Sequence, residues 1–179
     1  MTEFFKVLEA EEVIKIISDF PSLSAEEIRR DNACGRILAH SITSPEDLPH
    51  FPRSTMDGFA VRSQDTYGAS EGLPLMLNVT GRVMMGMPCE IVLKPGEAVA
   101  ITTGGMLPEG ADAVIMEEYC HVLDEETIEI TKSVTPWENV LRPGDDVVKG
   151  LELFSRGHRL RFQDIGLLAG LGIEKVCLL

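Results

Sequence analysis

Basic residues are scarce in this chain. Lys plus Arg number 16 against 29 Asp plus Glu in 179 residues, a formal net charge of -13. So acidic a chain is repelled by phosphate backbones and anionic lipid, which argues against a nucleic-acid partner and against a membrane-surface role. It also lacks any apolar run of the ~18 to 20 residues needed to span a bilayer. The N-terminus, MTEFFKVLEAEEV, lacks the charged-then-apolar layout of a secretory signal, so the cytoplasm is the expected location. Cys34, Cys89, Cys120 and Cys177 form no CxxC pair and have no His at ligand spacing. Neither a zinc site nor a disulfide framework is supported, and reduced, mostly buried thiols are expected. There is no internal repeat, no low-complexity segment and no G-x-x-x-x-G-K-[ST] phosphate loop.

What is present is the composition of a folded protein, with 44% hydrophobic and 25% charged residues. Val7, Ala10, Val13, Ile14, Ile17 and Phe20 recur at three and four, the period of a helix with one apolar stripe, and Pro21 suits its end. Ser24-Ala25-Glu26-Glu27 reads as a capping box with Gly35 at the far end, which predicts a second short helix. Pro45, Pro49 and Pro52 then interrupt the chain, as in an ordered loop or a domain crossing.

Between Gly58 and Val140 the pattern turns to short runs rich in β-branched residues: GFAVR, LMLNVTGRV, EAVAIT, AVIMEE, YCHVL and TIEITK. Gly, Pro and acidic clusters separate them, the cadence of a small barrel or sandwich. A short helix near Phe162 to Ala169 and a closing strand, IEKVCLL, follow. The expected fold is α+β and mostly β, with a small β-barrel-like domain at 47–146 inserted into an α/β base made of 1–46 and 147–179.

Three segments carry side chains suited to chemistry. In Arg53-Ser54-Thr55-Met56-Asp57-Gly58, a carboxylate beside a glycine either caps its own turn or is offered to a metal or a reacting proton. Thr102-Thr103-Gly104-Gly105 ends a strand with hydroxyls and glycines, and its backbone N–H groups either approach an anion or form an ordinary turn. Asn139-Val140-Leu141-Arg142-Pro143-Gly144-Asp145-Asp146 places two adjacent carboxylates after a turn, either solvated or able to hold Mg²⁺. Nine further carboxylates run from Glu97 to Glu129 with no basic residue among them, a solvated face or a divalent-cation attractor. Met84, Met85 and Met87 read as core or hairpin fillers, and Trp137 as a packing residue.

Taken in order, LPHFPRSTMDGFAVR, TGGMLPEGADAVI and NVLRPGDDV through LLAGLG resemble the molybdopterin molybdotransferases, the MoeA family that includes the E domain of gephyrin. The family reads near LPPFDRSAMDGYAVR, TGAMLPEGADAVV and NVRPRGEDI; Pro52, Phe59, Gly105 and Asp145 depart from it while Asp57, Thr103 and Asp146 are retained. The resemblance implies an elongated homodimer that takes adenylylated molybdopterin and molybdate and, with Mg²⁺, releases AMP and leaves molybdenum on the dithiolene. It implies Asp57, Thr103 and Asp146 as catalytic residues, Asp57 and Asp146 as metal ligands, and Ser54 and Gly104 as cofactor-binding contacts. It further implies that a pterin-binding domain with a TGDE-like motif follows Leu179, so that this portion alone is inactive. A non-catalytic dimerising scaffold is the alternative.

Overall fold

The computed structural model describes residues 8–21 and 23–179. In chain order its first elements are helix α1 (Ala10–Ser18) and strands β1 (Glu26–Arg29), β2 (Ile42–Thr43), β3 (Arg53–Ser54), β4 (Gly58–Val61), β5 (Leu75–Val83) and β6 (Glu97–Ile101). There follow β7 (Ala113–Met116), β8 (Cys120–Val122), β9 (Thr127–Ile130), β10 (Val140–Leu141), β11 (Glu152–Phe154), helix α2 (Phe162–Gly170) and β12 (Lys175–Leu178). The chain divides into two compact units: one takes the chain through Ile42 together with Leu153–Leu179, the other is Thr43–Glu152. The inserted segment is thus wider than the 47–146 marked in the sequence.

The inserted unit is built on a six-stranded curled sheet in the order β7-β4-β6-β5-β9-β8, antiparallel except where β5 runs parallel to β6. Every run predicted as a strand between Gly58 and Lys132 is one. At β4, β6 and β7 both faces of the sheet are largely buried, which is why these strands read as continuous apolar runs. Val61, Ala98, Ala113 and Ile115 pack on one face with Leu77, Ile128 and Ile130. Their sequence neighbours Ala60, Val99 and Val114 pack on the other with Val83, Ile101 and Leu107, as the period-2 alternation of a strand requires.

The other unit pairs β1 with β12, Glu26 opposite Leu178 and Arg29 opposite Lys175, and packs α2 over Ala33, Leu38, Phe154 and Val176. Here the predicted second helix is corrected to a strand and a 3₁₀ turn, Arg30–Asn32. A segment this short cannot nucleate a helix unaided, whereas β12 offers a complete hydrogen-bond ladder from the other end of the chain. Gly35 does adopt the left-handed conformation that its turn reading required, with φ 83°.

Helix α1 forms where its periodicity placed it, with the Glu9 N–H donating to Glu12 Oε2 at 3.2 Å and Pro21 beyond its end. Val7, the first residue of the predicted stripe, lies outside the described residues. None of the residues of α1 is buried: Ile14 is 66% and Ile17 62% exposed, and Phe20 just beyond it 71%.

Candidate functional site

Strand register assembles the site. Gly58, the first residue of β4, lies opposite Ile101, the last of β6, and also opposite Met116, the last of β7. Because β4 runs antiparallel to both, Asp57 just before it, the Thr102–Gly105 turn after β6 and Glu117 after β7 emerge at one end of the sheet. Parallel β5 ends there too, with Arg82 opposite Ala100 and Val83 opposite Ile101. Gly58 is required at this junction, since a Cβ there would overlap the Ile115 carbonyl.

The first two motifs meet directly. The Thr103 N–H donates to Asp57 Oδ1 at 2.8 Å, and the Glu117 N–H donates to the Asp57 carbonyl at 3.1 Å. The third motif joins through β3, which pairs with β10, Ser54 opposite Val140 and Arg53 opposite Leu141. Asn139 supports this pairing in a left-handed conformation, φ 57°, accepting from the Thr55 N–H at 3.0 Å and donating from Nδ2 to the Val114 carbonyl at 2.9 Å. The Arg53 guanidinium reaches Asp146 Oδ2 at 3.4 Å, while the Asp146 N–H donates to the Leu48 carbonyl at 2.9 Å. Asp145 instead closes its own turn, accepting from the Arg142 N–H at 2.7 Å.

A cavity of 140 Å³ opens beside Asp57, lined by Asp57, Gly58, Phe59, Arg82, Ala100, Ile101, Thr102 and Glu117. Asp146 does not line it. Among the described residues no group of three or more His, Cys, Asp or Glu is placed to hold a metal ion.

Ser54 and Gly104, expected as binding contacts, are both engaged by the chain's own turns. Ser54 is 2% exposed and its hydroxyl is engaged in its own turn, donating to the Met56 carbonyl at 2.6 Å and accepting from the Met56 N–H at 3.2 Å. It shapes the Asp57 loop. The Thr102–Gly105 turn, read as an anion cradle, has every N–H occupied: Thr102 on the Val83 carbonyl, Thr103 on Asp57, Gly104 on the Ser54 carbonyl and Gly105 on the Thr102 carbonyl. The chain's own acceptors satisfy these donors. Gly104 is there for geometry: its φ is 80°, and a Cβ would approach Met85 Sδ to 2.9 Å.

Sequence reasoning missed Arg82 and Glu117 as members of the site. Met84, Met85 and Met87, expected as fillers, are exposed, and they lie on the loop next to it. The thiols are all free, but Cys34 is exposed and the other three only partly buried, against the expectation of mostly buried thiols. Burial, with Glu117 and Glu118 nearby, pushes the Cys120 thiol up to about 12, so it stays protonated at neutral pH.

A family model described as MoeA N-terminal region (domain I and II) matches residues 7–172. A Methanocaldococcus jannaschii protein named for molybdopterin biosynthesis is 41% identical over 151 residues, covering 84% of this chain and 36% of the relative. The molybdopterin molybdenumtransferase of Haemophilus influenzae is 38% identical over 157 residues, covering 88% and 37%. The crystal structure of a molybdopterin biosynthesis MoeA protein from Pyrococcus horikosii superposes with a TM-score of 0.87 at 41% identity, covering 97% of this chain and 44% of that one. This chain therefore spans well under half the length of these relatives. With all three motifs present, and Asp57, Thr103 and Asp146 carried by one unit, the chain belongs to the MoeA family, whose domains I and II it matches.

Proposed function

We propose that this chain is the N-terminal portion of a molybdopterin molybdotransferase acting in molybdenum-cofactor biosynthesis. In this reading the full-length protein inserts molybdenum from molybdate into adenylylated molybdopterin and releases AMP. The observation that supports it is the junction at Gly58, where Asp57, the Thr103 turn and Glu117 meet beside a cavity. Asp57 and Asp146 are its acidic groups. Asp57 is exposed and accepts one backbone N–H, so its other oxygen is open to substrate. Asp146 is held by Arg53 at the end of the pairing between β3 and β10. Thr103 orients Asp57 through its backbone, and Gly104 allows the turn that brings it there. Asp57 and Asp146 would each offer a carboxylate oxygen to a Mg²⁺ ion, which would supply neutralisation of phosphate charge. The 140 Å³ cavity is smaller than the roughly 300 Å³ at which whole-ligand sites begin, so this portion holds part of a substrate and is inactive alone.

The test completes the chain with the remaining portion of the Haemophilus influenzae relative, then assays AMP release and molybdenum insertion from adenylylated molybdopterin and molybdate. Asp57→Asn should lower turnover by about 100-fold or more, as losing a group aimed at the reacting centre does. Unchanged AMP release and molybdenum insertion in both Asp57→Asn and Asp146→Asn would sink the catalytic assignment.

The exposed stripe of α1 supports a homodimer, since a row of apolar side chains this open normally meets a partner. Sedimentation of the wild-type chain against Ile14→Asp/Ile17→Asp tests it: a concentration-dependent dimer lost in the variant is the expected result. A purely scaffolding protein would dimerise equally but show no dependence of turnover on Asp57.

A further inference from the structure

Arg82 is the one basic residue lining the Asp57 cavity among the described residues, and it also lines an adjoining cavity of 390 Å³ with Met84, Met87, Cys89, Glu90 and Ile91. It stands on the wall the two cavities share. The register of β5 against β6 shifts between Val79 and Arg82, an irregularity of the kind that re-aims a side chain next to functional sites. Asp57 and Glu117 line the first cavity and Glu90 the second, yet among the described residues the Arg82 guanidinium has no hydrogen-bond or ion-pair partner. Arg82 is exposed, so its five donors face solvent, while every backbone N–H of the neighbouring Thr102–Gly105 turn is engaged.

The geometry points to Arg82 as the residue that takes the anionic group of the ligand, and to that group as a phosphate ester with hydrogen-bond donors beside the phosphorus. A planar guanidinium pairs with two phosphate oxygens at once. A bare oxyanion would meet the charges of Asp57 and Glu117, which line the same cavity. A phosphate ester bearing hydroxyls turns those same carboxylates into acceptors, because its donors reach them while its oxygens reach Arg82. Phe59 gives the first cavity an apolar wall, and Met84, Met87 and Ile91 give one to the second, so the ligand extends from one cavity to the other across Arg82. This assignment rests on the molybdotransferase reading and names the residue that offsets the negative charge of the substrate.

The test uses the 179-residue chain and three probes: AMP, adenosine and inorganic phosphate. Binding is followed by the NMR shifts of the Arg82 Nε–H and of the Phe59 and Thr102 amides. AMP is expected to shift all three, while adenosine and inorganic phosphate bind at least tenfold more weakly. Arg82→Gln should weaken AMP about tenfold or more, the loss of a charge-assisted phosphate contact, with its unfolding midpoint unchanged. Arg82→Lys should recover part of the affinity but not the bidentate contact. Equal AMP affinity in wild type and Arg82→Gln, or no AMP shift at these resonances, overturns the role of Arg82. Inorganic phosphate binding as tightly as AMP overturns the phosphate-ester part. Failure of the molybdotransferase reading is seen separately, as absent AMP release by the completed wild-type chain.

Discussion

Asp57 and Asp164 are both carboxylates at the start of a secondary-structure element, and they are treated oppositely. Asp164, in the first turn of α2, is 4% exposed and accepts from the Arg161 N–H at 2.9 Å, from Arg161 Nε and Nη2 at 3.1 Å each, and faces His158 Nε2 at 2.8 Å. Phe154 stacks on the His158 ring at 4.8 Å. Asp57 is exposed and accepts a single N–H. A carboxylate whose oxygens are saturated by its own chain is a fastening of the fold. One held by a single bond at a sheet end, beside an unpaired arginine, retains acceptor capacity for a ligand.

The largest effect expected is at the glycine that places Asp57. Gly58→Ala forces a Cβ against the Ile115 carbonyl, and the inserted unit should lose more than about 4 kcal/mol, read by chemical denaturation. Retention of wild-type stability would show that the junction of β4 with β6 and β7 is not as close as the register implies. Asp164→Ala should cost the other unit about 2 kcal/mol by removing a buried carboxylate that accepts from exposed Arg161 and faces part-buried His158. Asp57→Asn should cost under about 1 kcal/mol, since the amide oxygen still accepts from Thr103. If the two carboxylate variants lost equal stability, the contrast drawn between these residues would collapse.

The contrast also has a pH signature. The hydrogen bonds from Arg161 hold the Asp164 carboxyl well below the usual carboxylate range, outweighing its burial, and His158 adds to them. A depressed carboxylate pKa contributes stability that is fully present above the unfolded value of about 4 and lost as pH falls below it. The stability gap between wild type and Asp164→Asn should therefore narrow as pH falls below about 4. A gap that widens in acid would reverse the assignment. The smallest effect concerns the thiols: at pH 8, iodoacetamide should label exposed Cys34 well before Cys120, whose thiol is held protonated near about 12. Mass spectrometry of partially labelled protein reads the order.

Much of the fold was legible because it is written in local pattern. The strands from β4 to β9 follow from β-branched runs with punctuation every dozen residues, and α1 and α2 from their apolar spacing. Asp57 and Asp146 were legible as candidates because each sits beside a glycine-containing turn. Arg82 was not: it lies in LMLNVTGRV, which reads as strand throughout, and only the slip of β5 against β6 marks it. Glu117 was hidden for the same reason, inside an acidic run that reads as a solvated face.

The amino-acid sequence by itself determined the mostly β class and the three candidate segments, since composition, period and turn residues act over a few positions, and the order of its motifs carried the resemblance to the MoeA family. Tertiary structure alone decided that Glu26–Arg29 is a strand, because its ladder partner β12 lies at the other end of the chain. It also decided that the Thr102–Gly105 donors serve the chain's own acceptors and that Arg82 stands unpaired beside Asp57. Hydrogen-bond satisfaction is a count over neighbours in space, and those neighbours lie tens of residues away in the chain.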